Sequence, residues 1–141
     1  MTRRKLLKST TALTLAGAFA AEGQSTSGIT PDTVYELRIY HLNPGKLPLI
    51  LNRFRTRETK IFTRLGMHCV AFWTPLDGAL PAETLVYMLR HKSREAARAA
   101  WDAFGKDPEW VALKAESEKD GAFVNVHEVT FLKLTDFSPG I

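Results

Sequence analysis

Cysteine is nearly absent from this chain: Cys69 is the only one in 141 residues, so no intrachain disulfide can form and no paired-cysteine redox motif exists. Cysteine and histidine spacings of the metal-binding type are missing as well, as are a glycine-rich phosphate loop and a nucleophile elbow. No apolar run approaches the roughly 20 residues that a membrane-spanning helix needs. An excess of one charge is also lacking in the body of the chain. The formal net charge of +4 resides in Arg3, Arg4, Lys5 and Lys8, and beyond them the basic residues equal the 15 acidic ones. That balance argues against a nucleic-acid surface, whose affinity would rest on neutralising phosphates. Cys69 itself lies in an apolar strand pattern, where it reads as a buried, inert thiol and not as a nucleophile.

The four N-terminal charges open a secretory pattern. Thr2-Arg3-Arg4-Lys5-Leu6-Leu7-Lys8 precedes a weakly apolar run from Thr10 to Ala21, and Ala18-Phe19-Ala20 supplies a small-x-small cleavage site. The paired arginines resemble a bacterial twin-arginine signal, which implies a periplasmic or secreted protein carried across in folded form. A disordered basic tail on a cytosolic protein is the alternative. The pattern divides the chain into a signal peptide at 1–20, a Gly/Ser/Thr-rich flexible leader at 21–32 and one domain at 33–139.

Within that domain the hydrophobic period switches twice between two and 3.6. Val34 to Tyr40 alternates β-branched or aromatic residues with charges and predicts a strand, closed by Asn43-Pro44-Gly45. Leu47, Ile50, Leu51, Phe54, Ile61, Phe62 and Leu65 predict an amphipathic helix stopped by Gly66, with Arg53, Arg57, Lys60 and Arg64 on a solvated opposite face. His68 to Trp73 and Leu85 to Arg90 predict two more strands, joined through the turn Thr74 to Gly78 and a surface loop. Ser93 is suited to cap a second helix whose stripe is Ala97, Ala100, Trp101 and Phe104. A break at Gly105 leads to Asp107-Pro108-Glu109-Trp110, the start of a further helical piece to about Lys119, and Phe123 to Leu134 predicts the fourth strand.

Two successive βαβ units with right-handed crossovers build an α+β, ferredoxin-like βαββαβ domain: a four-stranded antiparallel sheet with its helices on one face. Strands two, three and four lack the polar half of the alternation that a water-facing sheet side would show. The open side is therefore expected to be shared with a second copy of the chain, giving a homodimer that encloses a cavity, a dimeric α+β barrel.

The run Tyr35-Glu36-Leu37-Arg38-Ile39-Tyr40, with Pro44-Gly45-Lys46, Phe72-Trp73-Thr74-Pro75, Leu85-Val86-Tyr87, Asp107-Pro108-Glu109-Trp110 and Lys114-Ala115-Glu116-Ser117, resembles the NIPSNAP family from about Val34 to Pro139. That resemblance implies the ferredoxin-like dimer. It supplies no agreed catalytic set and no cofactor. Related dimeric barrels include cofactor-independent monooxygenases and isomerases that use a His, Tyr or Trp beside an enclosed substrate.

With Leu37 and Ile39 assigned to the helix side, Glu36, Arg38 and Tyr40 are expected to point into the dimer cavity, where Arg38 would clamp an anion and Tyr40 would donate a hydrogen bond. Pairing of Glu36 with Arg38 as a purely structural contact is the competing expectation. Arg90 and Glu128 are placed to meet them from neighbouring strands, and His68 and His127 are candidates for a base or for haem or metal ligands, with satisfied core or edge histidines as the competing expectation. Trp73, Trp101 and Trp110 are assigned to packing. Three functions compete: a module that binds a small apolar or aromatic ligand, a cofactor-independent enzyme, and a structural dimer.

Overall fold

The computed structural model describes residues 28–141, and the expected signal peptide and most of the expected leader lie outside them. Strand β1 (Val34–Leu42) leads to helix α1 (Leu47–Arg53), a π turn at Phe54–Glu58 and helix α2 (Thr59–Arg64). Strands β2 (His68–Trp73) and β3 (Thr84–His91) follow, then helices α3 (Arg94–Lys106) and α4 (Pro108–Ser117), and last strand β4 (Val124–Leu132). All strand pairings are antiparallel in the order β2-β3-β1-β4, the ferredoxin-like topology, with the helices on one face. Among the described residues no helix is long and apolar enough to cross a membrane.

The element boundaries have local causes. Gly66 adopts φ +81°, a conformation that costs a residue with a Cβ about 1 kcal/mol or more, and so ends α2. The Ser93 hydroxyl accepts from Ala96 N and the Asp107 carboxylate from Trp110 N, each meeting an otherwise orphaned helical N–H. Arg64 makes a bidentate pair with the same Asp107 at 2.8 and 3.0 Å, tying α2 to the start of α4. The predicted break at Gly105 falls two residues later, at Asp107, because α3 continues to Lys106.

Register fixes which side chains share a face, since directly opposed residues of an antiparallel pair point the same way. Glu36, Arg38 and Tyr40 oppose Leu89, Tyr87 and Leu85, all buried, and Trp101 of α3 reaches Glu36 from above. Leu37 and Ile39 oppose Met88 and Val86 on the other side. The expected phase of β1 is thus reversed: its polar residues lie under the helices and its aliphatic ones on the open side. Aliphatic character alone was a poor guide, because donors from Arg38, His91 and Trp101 make the helix side hospitable to a carboxylate.

Beneath the helices Ile50, Phe54, Ile61, Phe62, Tyr87, Leu89, Phe104 and Leu113 form the core. Phe62 is its centre, with ring contacts to Phe54, Tyr87, Trp101 and Phe104 at 5.0–6.4 Å between centroids. Cys69 packs against this core, and burial pushes its thiol up, away from thiolate reactivity. Phe62→Ala is expected to cost about 3–5 kcal/mol of unfolding free energy, read as a lower urea midpoint with an unchanged slope.

Candidate functional site

Glu36 is fully buried and ionised, so each carboxylate oxygen must be met from within the protein. Arg38 Nε donates to Oε1 at 2.7 Å, while His91 Nε2 and Trp101 Nε1 donate to Oε2 at 2.7 and 2.8 Å. Burial alone would raise this carboxyl, but the donors, His91 foremost, outweigh it and hold it below the usual carboxylate range. The Arg38 guanidinium lies 3.7 Å over the Trp101 ring, which places its charge on the negative face of the indole.

Two residues along the same side of β1, Tyr40 shares a 2.6 Å hydroxyl–hydroxyl hydrogen bond with Tyr87. Burial raises both phenols, so both stay neutral. Tyr40 also borders a cavity of about 180 Å³, together with Arg53, Glu58, Trp110, Glu118 and His127.

The π turn explains how Arg53 and Glu58 come together there. Residues five apart in a regular helix are rotated by roughly 140° from one another, whereas an i to i+5 turn brings them round to one side. Thr59 N–H reaches the Phe54 carbonyl across that wider turn, and the Thr59 hydroxyl donates to the same oxygen at 2.9 Å. Arg53 Nε then meets Glu58 Oε2 at 2.8 Å, and its Nη1 reaches Glu118 at 2.8 Å and Ser117 at 3.1 Å. Desolvation dominates at Glu58: despite Arg53, burial pushes its carboxyl up to about 7. A carboxyl poised near neutrality beside a cavity can give or take a proton.

The six sequence-predicted site residues therefore do not form one site. Glu36, Arg38 and Tyr40 adjoin under the helices, not on the open side where the shared cavity was expected. Arg38 does pair with Glu36, as the structural alternative expected. His68 and Arg90 oppose each other on the open side, where His68 is exposed and Arg90 Nη1 approaches the Ile141 carbonyl at 3.5 Å. Glu128 opposes Ile39 on that open side and pairs with His41 at 2.6 Å, away from Glu36. His127 faces the helix side and borders the cavity at Glu58. Arg53 is buried rather than solvated, and Trp101 holds Glu36 as well as packing.

Glu58 and His91 were not singled out in the sequence. For Glu58 a signal existed: it stands four residues after Phe54 and three before Ile61, a place in the apolar stripe where a glutamate is out of character. Nothing local marks His91. Among the described residues no group of three or more His, Cys, Asp or Glu side chains is arranged to hold a metal ion.

The model of the NIPSNAP family matches residues 35–139. Among solved structures, the chain is similar to an uncharacterized NIPSNAP domain protein from Burkholderia xenovorans at 23% identity, covering 75% of this chain and 98% of that one with a TM-score of 0.64. A NIPSNAP family protein of unknown function from Agrobacterium tumefaciens is 24% identical, with 77% and 94% covered and a TM-score of 0.65. A putative antibiotic biosynthesis monooxygenase from Nitrosomonas europaea shares the fold at 10% identity, with 79% and 98% covered and a TM-score of 0.54. A search of curated proteins finds no match.

Because the Glu58 carboxyl lies near 7 when folded and near 4.5 when unfolded, the folded state binds its proton more tightly between those values. Its contribution to stability is full below about pH 4.5 and is lost as pH rises through about 7, by roughly 3 kcal/mol. The unfolding free energy of the native protein minus that of Glu58→Gln is expected to fall by that amount between pH 4.5 and 8, measured by urea titration.

Proposed function

The chain belongs to the NIPSNAP family, and from that premise we propose that it is an exported homodimer that binds a small apolar or aromatic molecule in the cavity at Glu58. The carrying observation is that cavity, where Phe104, Trp110 and Tyr40 offer ring surfaces and Glu58, Arg53 and His127 offer a few convergent polar groups. Its volume of about 180 Å³ restricts the occupant to a small molecule.

Dimerisation is supported by the open sheet side. Leu37, Ile39, Val86 and Met88 are only half-buried there, and Trp73, Val126 and Leu132 are exposed. Covering such side chains contributes roughly 1.5–3 kcal/mol for each one fully buried. Export is supported by the Arg3-Arg4 pattern and the Ala18-Phe19-Ala20 cleavage site.

A second reading, turnover without a cofactor, draws on Glu58 itself. At neutral pH this carboxyl populates both protonation states, as a general acid–base requires, with the neutral Tyr40 phenol as a hydrogen-bond donor. An activity on a quinol-type substrate that tracks Glu58 ionisation, and is abolished in Glu58→Gln and Tyr40→Phe, would favour it over binding alone.

Native mass spectrometry of protein taken from its own periplasm tests assembly, processing and occupancy together. A dimer of chains beginning near Ala21, with a retained small molecule, is the expected result; an empty monomer sinks the proposal. Met88→Glu, which places a charge at the middle of the open side, is expected to shift sedimentation from dimer to monomer at micromolar concentration.

A further inference from the structure

Beside Arg38 lies a second cavity, of about 260 Å³, bordered by Arg38, Arg94, Arg98, Glu36, Trp101 and Phe131. Glu36 is the one carboxylate among these, and both of its oxygens are already engaged by donors. Three guanidinium groups thus line a cavity whose single carboxylate is already occupied. Arg38 hydrogen-bonds Glu36 through Nε, and its terminal nitrogens form no hydrogen bond with a carboxylate among the described residues. Arg94 and Arg98 form no ion pair with the described residues either.

Two of the three cations lie against aromatic rings. Arg38 rests on Trp101 at 3.7 Å, with only 13% of its side chain exposed, and Arg94 lies 4.0 Å from the Phe131 ring centroid. Arg38, largely buried, brings the planar donors of its guanidinium to the border of an open space. Such donors match a carboxylate in bidentate geometry. The remaining wall is hydrocarbon, from Val129, Phe131 and the Trp101 ring. A multiply charged phosphate would leave that wall unmatched and charge facing it undersolvated. The volume lies below the roughly 300–1,000 Å³ common for small-molecule pockets, which limits the occupant to about one ring.

We propose that this cavity binds a small aromatic carboxylate, with its carboxylate against Arg38 and the α3 arginines and its ring against Phe131 and Trp101. The site is separate from the cavity at Glu58 and holds whether that cavity binds, catalyses or does neither.

Titration calorimetry on the full chain at low ionic strength, with benzoate, its neutral isostere benzamide and inorganic phosphate, tests the assignment. Benzoate is expected to bind one per chain, at least about tenfold tighter than benzamide, and to weaken with added salt. Arg94→Ala and Arg98→Ala alter exposed residues and are each expected to weaken benzoate by about threefold to tenfold with unfolding midpoints unchanged. Arg38→Lys keeps the charge but loses the fork, and weakens benzoate further; a matching circular dichroism spectrum guards against misfolding. Absence of benzoate binding, equal affinity for benzamide, tighter binding of phosphate, or indifference to both α3 substitutions would each overturn the proposal.

Discussion

A carboxylate sealed from water must be matched donor for donor, and Glu36 imposes that requirement at the middle of the sheet. Its partners come from three elements: Arg38 on β1 itself, His91 at the end of β3 and Trp101 on α3. Only one phase of β1 places all three within reach. That phase turns Arg38 and Tyr40 under the helices and, because side chains alternate, turns Leu37 and Ile39 outward. The position of the polar groups on β1 and the outward turn of Leu37 and Ile39 are therefore consequences of one buried charge.

The same principle operates a second time with a different balance. At Glu36 three donors overcome desolvation and the carboxyl stays low; at Glu58 the shared Arg53 does not, and the carboxyl rises to about 7. Arg53 divides its donors between Glu58 and Glu118 and also lies near the Trp110 and Phe123 rings, so it links the π turn to the far end of α4. The wider turn departs from regular helix geometry, and what it achieves is the inward placement of an ionisable pair at a cavity wall. Two buried glutamates on one side of one sheet thereby have opposite tendencies: one anchors the fold, the other is free to exchange a proton.

Much of the fold was legible because its signals are local. Hydroxyl and carboxylate caps at Ser93 and Asp107, the positive φ of Gly66 and the two-residue period of β1 each act within a few residues of where they stand. The candidate site was legible only in part. Glu36, Arg38 and Tyr40 stood out as polar groups on one strand face, and they do adjoin. Their side of the sheet was misjudged, since a strand with mixed character on both faces reads equally well in either phase. Arg90 and Glu128 were grouped with them by strand adjacency, and register then separated both, together with His68, onto the opposite side.

By itself the amino-acid order determined the elements, their sequence and hence the ferredoxin-like topology, because caps, turns and hydrophobic periods are encoded in neighbouring residues and right-handed crossovers leave few ways to join them. Only the tertiary structure decided which face of β1 is buried, that Arg53 is dry, and that Glu58 sits beside a cavity near neutrality. Those outcomes depend on groups as far apart in the chain as Glu36 and Trp101, or Arg53 and Glu118, and the free energy of a buried charge is set by whichever donors the packed chain brings to it.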